Sequence, residues 1–273
     1  MRYPQSDIQT ITDQIDVRWF QERTGFVTGS SGWFGGWICQ VLESIGAKHY
    51  VLRHKDGQSI DNFHIPEQKI DYIIHLSPGP VYKVVECAHK HDADVLFTSS
   101  GAVYAEDIDE YGDMKRYNEW ELINGEINVK IARCFTMAGA GVPMSDQYAL
   151  GSFISQGLCN KDLHIWGDGS VIRTYLYMTD LITWLFKILI DGDIGKPYDV
   201  GSEEEITMWE LARMVRNYFP DSEIVIENRD IKERFPYYVP DLTDTYDLGC
   251  RVTVNTEEAI KRTVDYYKVK YDM

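Results

Sequence analysis

The feature that most constrains this chain is a glycine-spaced turn near its amino end, Thr28-Gly29-Ser30-Ser31-Gly32-Trp33-Phe34-Gly35. It follows a short apolar segment, Gly25-Phe26-Val27-Thr28. It leads into an apolar stretch, Trp37 to Ile45, which Gly46 stops in the usual place beyond a helix C-terminus. Strand, tight turn and helix in that order open a βαβ unit. Gly29 permits the tight turn, Gly32 lets backbone approach a pyrophosphate, and Gly35 lets the helix pack close to the strand. The helix start then presents unpaired N–H groups and a partial positive charge to an anion. A ligand-free glycine-rich turn is the plain alternative in a chain with 21 glycines. Placement in the first βα unit favours a dinucleotide.

The rest of the amino-terminal half keeps the same alternation. Strands are expected at His49–Arg53, Asp71–Leu76, Asp94–Thr98 and Asn128–Phe135, with helices near Val81–His91 and Glu110–Asn124. Short apolar strands alternating with helices predict a doubly wound α/β fold with a parallel sheet. Residues 1–24 read as a polar lead-in holding one amphipathic helix through Val17, Trp19 and Phe20. Beyond Ala138 the pattern loosens. Helices are expected at Ser152–Cys159 and Thr179–Asp191, and a strand at Tyr198–Val200. Capping patterns at Thr207–Glu210 and Asn255–Glu258 open helices through Phe219 and Tyr267. The division expected is a Rossmann domain over 25–138 plus about 171–202, and a smaller mixed C-terminal lobe over about 139–170 plus 203–273.

Composition narrows the partners. A formal net charge of −16 argues against nucleic acid and anionic membranes, and no apolar run approaches bilayer length. The polar start, Met1 to Asp16, is no secretory signal. Five widely spaced cysteines (Cys39, Cys87, Cys134, Cys159 and Cys250) without a CxxC suit reduced thiols in a cytoplasm rather than disulfides or a metal site.

Tyr111 and Lys115 form YxxxK at the start of the expected 110–124 helix. Residues i and i+4 share a helical face. An ammonium beside a phenol favours phenolate, so such a tyrosine can carry a proton to or from a hydroxyl while hydride moves on a nicotinamide. Tyr266 and Lys270 repeat the spacing, and read as a chance match on the terminal helix. Upstream of Tyr111, the run Phe97-Thr98-Ser99-Ser100-Gly101-Ala102-Val103-Tyr104 ends a central strand, the sheet edge where ligands bind.

With these pieces in view, the chain resembles an extended short-chain dehydrogenase/reductase of the NAD-dependent epimerase/dehydratase family, which acts on nucleotide sugars. The resemblance rests on the glycine turn, Ile74-His-Leu-Ser77, the Thr-Ser-Ser-Gly-Ala-Val-Tyr run, YxxxK with Glu119 following, and the block from His164 through Arg173 to Leu181. It implies Ser100, Tyr111 and Lys115 as catalytic residues. It implies cofactor contacts at Gly29, Ser31, Gly32, Trp33, Phe34, Gly35, Arg53, Leu76, Ser77, Thr98, Tyr111, Lys115 and Phe135. Substrate contacts follow at Ser100, Thr136, Arg173 and Arg234, with Arg173 on the substrate's diphosphate. Arg53-His54-Lys55, where an acid would hold a ribose hydroxyl, favours NADP(H) over NAD(H).

Departures from the family pattern limit the chemistry. Gly101 and Ala102 stand where 4,6-dehydratases carry an acid–base pair, so no 4,6-dehydration is expected. The segments 76–81 and 104–111 are short for the family, which leaves a homodimer open and the sugar pocket less covered. Thr136 replaces the usual asparagine after Phe135. The leading expectation is a 4-keto reductase or an epimerase acting on a nucleotide-diphosphate sugar. A nucleotide uronic acid decarboxylase and a non-catalytic dinucleotide sensor are the alternatives.

Overall fold

The computed structural model describes residues 3–52, 59–105, 109–228 and 236–272. The chain forms two compact units. One comprises Met1–Cys134, Ile182–Val200 and Thr243–Cys250; the other comprises Phe135–Leu181, Gly201–Leu242 and Arg251–Met273.

The first unit opens with α1 (Gln5–Thr12) and α2 (Val17–Gln21). The helix expected through Val17, Trp19 and Phe20 is α2, and α1 precedes it as a separate helix. The chain breaks between them because the Asp16 side chain accepts from the Trp19 N–H and starts a new helix. Then follow β1 (Gly25–Thr28), α3 (Trp33–Ser44), β2 (His49–Val51), β3 (Tyr72–His75), α4 (Tyr82–His91), β4 (Asp94–Ser100), α5 (Glu110–Asn124) and β5 (Val129–Cys134). The second unit supplies β6 (Met137–Ala138), α6 (Ala149–Leu158), β7 (Leu163–Ile165), β8 (Ile172–Arg173) and β9 (Leu176–Tyr177). Helix α7 (Met178–Asp191) carries the chain back to the first unit and β10 (Pro197–Val200). The second unit then adds β11 (Ile206–Thr207), α8 (Met208–Arg216), β12 (Ile224–Ile226) and β13 (Tyr237–Tyr238). The first takes α9 (Thr243–Asp247) and the second ends with α10 (Thr256–Lys270).

The first unit is built on a six-stranded sheet in the order β10-β5-β4-β3-β1-β2. All its pairings are parallel. This is the expected doubly wound α/β sheet. β1 and β3 are buried at every position, as strands covered on both faces require. Val27, Ile73, Ile74, Val95, Leu96 and Ile131 lie in the core, where each such side chain contributes about 1.5–3 kcal/mol by leaving water. The chain leaves β1 for β2 on one side and returns to β3 on the other. The carboxyl ends of β1 and β3, with Thr28 beside His75, therefore flank a topological switch point.

The second unit has smaller sheets. β8 runs antiparallel to β11 and parallel to β13, while β7 pairs with β12 and β6 with β9. Thr207 and Glu210 close the expected capping box at the start of α8, and Asn255 caps α10. The Asp180 carboxylate accepts the N–H groups of Thr253 and Val254 at 2.8 and 3.1 Å, pinning the run before α10.

Several boundaries differ from expectation. α3 begins at Trp33 rather than Trp37, with Gly35 and Gly36 inside its first turns. α6 begins at Ala149 rather than Ser152, α8 ends at Arg216 rather than Phe219, and α10 runs on to Lys270. Among the described residues no helix is long and apolar enough to cross a membrane.

Candidate functional site

In the first unit the glycine turn joins β1 to α3. Gly29 has φ +70, and a Cβ there would come within 2.9 Å of the Leu76 carbonyl carbon and the Ser77 nitrogen. Gly35 lies closer still: a Cβ would stand 2.2 Å from the Gly29 carbonyl oxygen. Gly32 is the N-cap of α3, and no side chain caps that helix. The turn thus draws backbone to the helix start and keeps side chains away from it. That arrangement fits the pyrophosphate of a dinucleotide. Ser31 is exposed, Trp33 and Phe34 are half-buried with rings 5.5 Å apart, and Ser77 is buried. Arg53, on which the NADP(H) preference rests, lies outside the described residues.

At the carboxyl end of β4, the structure draws together Thr98, Ser100, Tyr111 and Lys115. Asp109 caps α5 through the Gly112 N–H, which sets Tyr111 in the helix's first turn. One turn on, Lys115 is buried at 3% exposure, while Tyr111 is 46% exposed. The Lys115 Nζ donates to the Thr98 carbonyl at 2.8 Å, stands 4.7 Å from the Phe97 ring centre and 5.8 Å from that of Tyr111. Burial lowers its ammonium to about 8, with Cys134 and Glu119 opposing the shift. Ser100 ends β4, and its Oγ accepts the Ala102 N–H at 3.2 Å. Beneath this edge His75 is fully buried, with Nδ1 2.7 Å from the Thr28 hydroxyl and its ring stacked on Phe97. Burial, and secondarily the Lys115 charge, lower its imidazole to about 3, so it is neutral.

Motif reading missed a polar cluster at the same edge. The Arg133 guanidinium forks onto Glu119 at 3.0 and 2.6 Å and donates to the Tyr104 hydroxyl at 2.8 Å. Tyr104 in turn donates to Asp199 at 2.8 Å. Burial is the largest effect on the Tyr104 phenol, pushing it up to about 12. The signal available in sequence was the polar ends of apolar strands, Arg133 in β5 and Asp199 in β10, but nothing local pairs them.

The second unit holds a cavity of about 170 Å³ whose walls include Arg173, His164, Trp166, Phe153, Met208 and Asp146. The Arg173 guanidinium donates to the Ile172 carbonyl at 2.8 Å and lies 5.6 Å from the Tyr238 ring centre. Phe135 packs on the same tyrosine at 4.6 Å. His164 meets Glu227 through Nδ1 at 2.7 Å. The Thr136 carbonyl accepts from Leu176. Arg234 lies outside the described residues. The second YxxxK copy differs from the first: Tyr267, next to Tyr266, is the buried one, and its hydroxyl is bound by the Val142 carbonyl.

Comparison with known proteins bears on both units. Residues 67–201, just under half of the chain, match the NAD dependent epimerase/dehydratase family. Among curated relatives, UDP-glucuronic acid decarboxylase 1 of Danio rerio is 28% identical over 145 residues, 52% of this chain and 34% of that protein. The chain thus spans about a third of that relative's length. Among solved structures, UDP-glucose 4-epimerase of Thermotoga maritima, with UDP-glucose, superposes with TM-score 0.77 at 20% identity, covering 91% of this chain and 99% of that one. A point mutant of UDP-glucuronic acid 4-epimerase from Bacillus cereus, in complex with UDP-4-deoxy-4-fluoro-glucuronic acid and NAD, gives 0.76 at 20% identity, covering 91% and 100%. At that identity the structures speak for the fold, and the matched segment, which runs from before β3 to the end of β10, speaks for the lineage. Residues 67–201 thus carry a match to the NAD dependent epimerase/dehydratase family, and the chain is similar to its members.

Proposed function

We propose that this protein is a nicotinamide-dinucleotide-dependent enzyme that reduces or epimerises the sugar of a nucleoside-diphosphate sugar. The observation that carries the reading is Lys115: an ammonium buried at the end of β4, anchored on the Thr98 carbonyl and set against the Tyr111 ring. A charge is costly to bury unless it is used or paired. Here it lies 5.8 Å from the centre of the Tyr111 ring, whose anion it would stabilise. Tyr111 takes or returns the proton of a sugar hydroxyl, and Ser100 donates a hydrogen bond to the same oxygen. Gly29, Gly32 and Gly35 hold the pyrophosphate, with Ser31, Trp33, Phe34, Leu76, Ser77 and Phe135 as further contacts. The bound dinucleotide supplies or accepts hydride. Arg173 holds the diphosphate of the sugar nucleotide, joined by Arg234, while Thr136 meets the sugar. Arg53 makes NADP(H) the preferred dinucleotide. The start of the turn after Ser100 is Gly101-Ala102, which supplies neither acid nor base, so 4,6-dehydration is not part of the proposal.

A second reading, decarboxylation of a nucleotide uronic acid, is favoured by the likeness to the Danio rerio decarboxylase. One experiment separates the readings. The protein is mixed with UDP-glucose or UDP-glucuronic acid and NAD⁺ or NADP⁺, and separately with a UDP-4-keto sugar and NADPH, and the products are resolved by chromatography while carbon dioxide and the cofactor's redox state are followed. An epimer without net cofactor change supports epimerisation. Stoichiometric use of NADPH with a 4-keto sugar supports reduction, and released carbon dioxide supports the second reading. Dinucleotide binding with no turnover of any sugar nucleotide would leave only a sensor.

A further inference from the structure

The turn that follows Ser100 is held from outside at its carboxyl end, and none of the groups that hold it belongs to the proposed chemistry. Ser100 is the N-cap of a one-turn 3-10 helix, Gly101–Tyr104. Such a turn is short and poorly hydrogen-bonded on its own. Arg116, the residue after Lys115 in α5, donates through Nε to the Val103 carbonyl at 2.7 Å and through its terminal nitrogen to the Ala105 carbonyl at 2.9 Å. Tyr104 is fixed separately. Its hydroxyl accepts from Arg133 in β5 and donates to Asp199 in β10, each at 2.8 Å, and its ring lies 4.8 Å beneath the Arg133 guanidinium. Arg133 is itself forked on Glu119 of α5.

We infer that Arg116 and Tyr104 are positioning residues that fix the Ser100 hydroxyl relative to Tyr111. The inference rests on the function proposed above. The helix that carries Tyr111 and Lys115 grips the Ser100 turn through Arg116, and grips its anchor through Glu119 and Arg133. Displacement of the turn relative to α5 therefore breaks charge-assisted hydrogen bonds, which are about twice as strong as neutral ones. The fork matters as much as the charge. Two carbonyls two residues apart are satisfied by one planar guanidinium, whereas a lysine offers a single point charge. A hydroxyl misplaced by about 1 Å costs roughly a hundredfold in rate.

The test is a double-mutant cycle on the whole protein. The readout is the single-turnover change between oxidised and reduced nicotinamide, followed with NADP⁺ or NAD⁺ and UDP-glucose or UDP-glucuronic acid, and with NADPH or NADH and a UDP-4-keto sugar, with dinucleotide affinity measured alongside. Arg116→Met and Tyr104→Phe are each expected to slow that step roughly ten- to a hundredfold, with dinucleotide affinity unchanged and Arg116→Lys intermediate. In a Ser100→Ala background the same two changes should add almost nothing, because the group they position is gone. Rate losses that multiply in full with Ser100→Ala overturn the inference and make both residues structural only. So does Arg116→Met at the wild-type rate. A Ser100→Ala protein as fast as wild type, or a wild type that neither reduces nor oxidises nicotinamide with any of these sugars, overturns the reading of the site itself and this inference with it.

Discussion

The carboxyl edge of the parallel sheet and the cavity of the second unit hold their polar groups by different means. At the sheet edge, Lys115 is fixed by the Thr98 carbonyl of β4 and Tyr104 by Arg133 of β5 and Asp199 of β10, and strands of four to seven residues carry the load. In the cavity, Arg173 sits on a two-residue strand, donates to the carbonyl just before it and leans on the ring of Tyr238. The first arrangement resists displacement, as proton transfer requires, since reach and direction decide whether it occurs. The second needs only a fork of fixed charge in a concave wall. Chemistry is thus expected to be intolerant of change in the first unit, and ligand choice adjustable in the second.

The largest effect that would break this contrast is at Tyr111. Tyr111→Phe is expected to lower turnover by roughly 10²–10⁴-fold while dinucleotide affinity stays put, checked by single-turnover kinetics and calorimetric titration. A near-normal rate would remove the phenol from the mechanism. Next comes Arg173→Ala, expected to weaken nucleoside-diphosphate binding by about 1.5–3 kcal/mol with dinucleotide binding intact. Equal loss of both ligands would mean that the second unit had lost its fold, and with it the supposed independence.

A smaller effect on the sheet side sharpens the same point. Gly35→Ala places a methyl 2.2 Å from the Gly29 carbonyl, on backbone that cannot swing aside. The expected cost is about 1–3 kcal/mol of stability, read from the urea midpoint, with dinucleotide affinity falling as the turn is pushed open. An unchanged midpoint and affinity would show that the turn is looser than described.

The smallest effect is in pH. Burial lowers Lys115 from its ordinary 10.5 to about 8. If its proton steadies the Tyr111 phenolate, the rate falls as pH rises through about 8, approaching tenfold per unit above it. Stability moves the opposite way. Between about 8 and 10.5 the unfolded chain keeps a proton that the folded chain has released, so the buried ammonium's penalty fades as pH rises across that window. Lys115→Met should flatten both profiles. A rate profile unaltered by that change would show that the lysine's charge is not used.

What was legible in the sequence was what is local. The glycine turn declares itself because Gly29, Gly32 and Gly35 each answer a backbone demand met within eight residues. The Tyr111–Lys115 pair declares itself because one helical turn separates them, and the parallel sheet does so because strands covered on both faces are apolar throughout. The cavity was legible only through the resemblance around Arg173. Its strands β8, β11 and β13 are two residues long, too short to show any periodicity.

By itself, then, the sequence determined the α/β class, the glycine turn between β1 and α3 and the face that Tyr111 shares with Lys115. All of these follow from near-neighbour sterics and helical geometry. Only the tertiary structure decided what those residues meet. Lys115 reaches the Thr98 carbonyl 17 positions away, Arg116 reaches Val103 across 13, and Tyr104 reaches Asp199 across 95. The reason is physical: hydrogen bonds made across a sheet depend on strand order and register, and those are set by how the whole core packs rather than by any one segment's preferences.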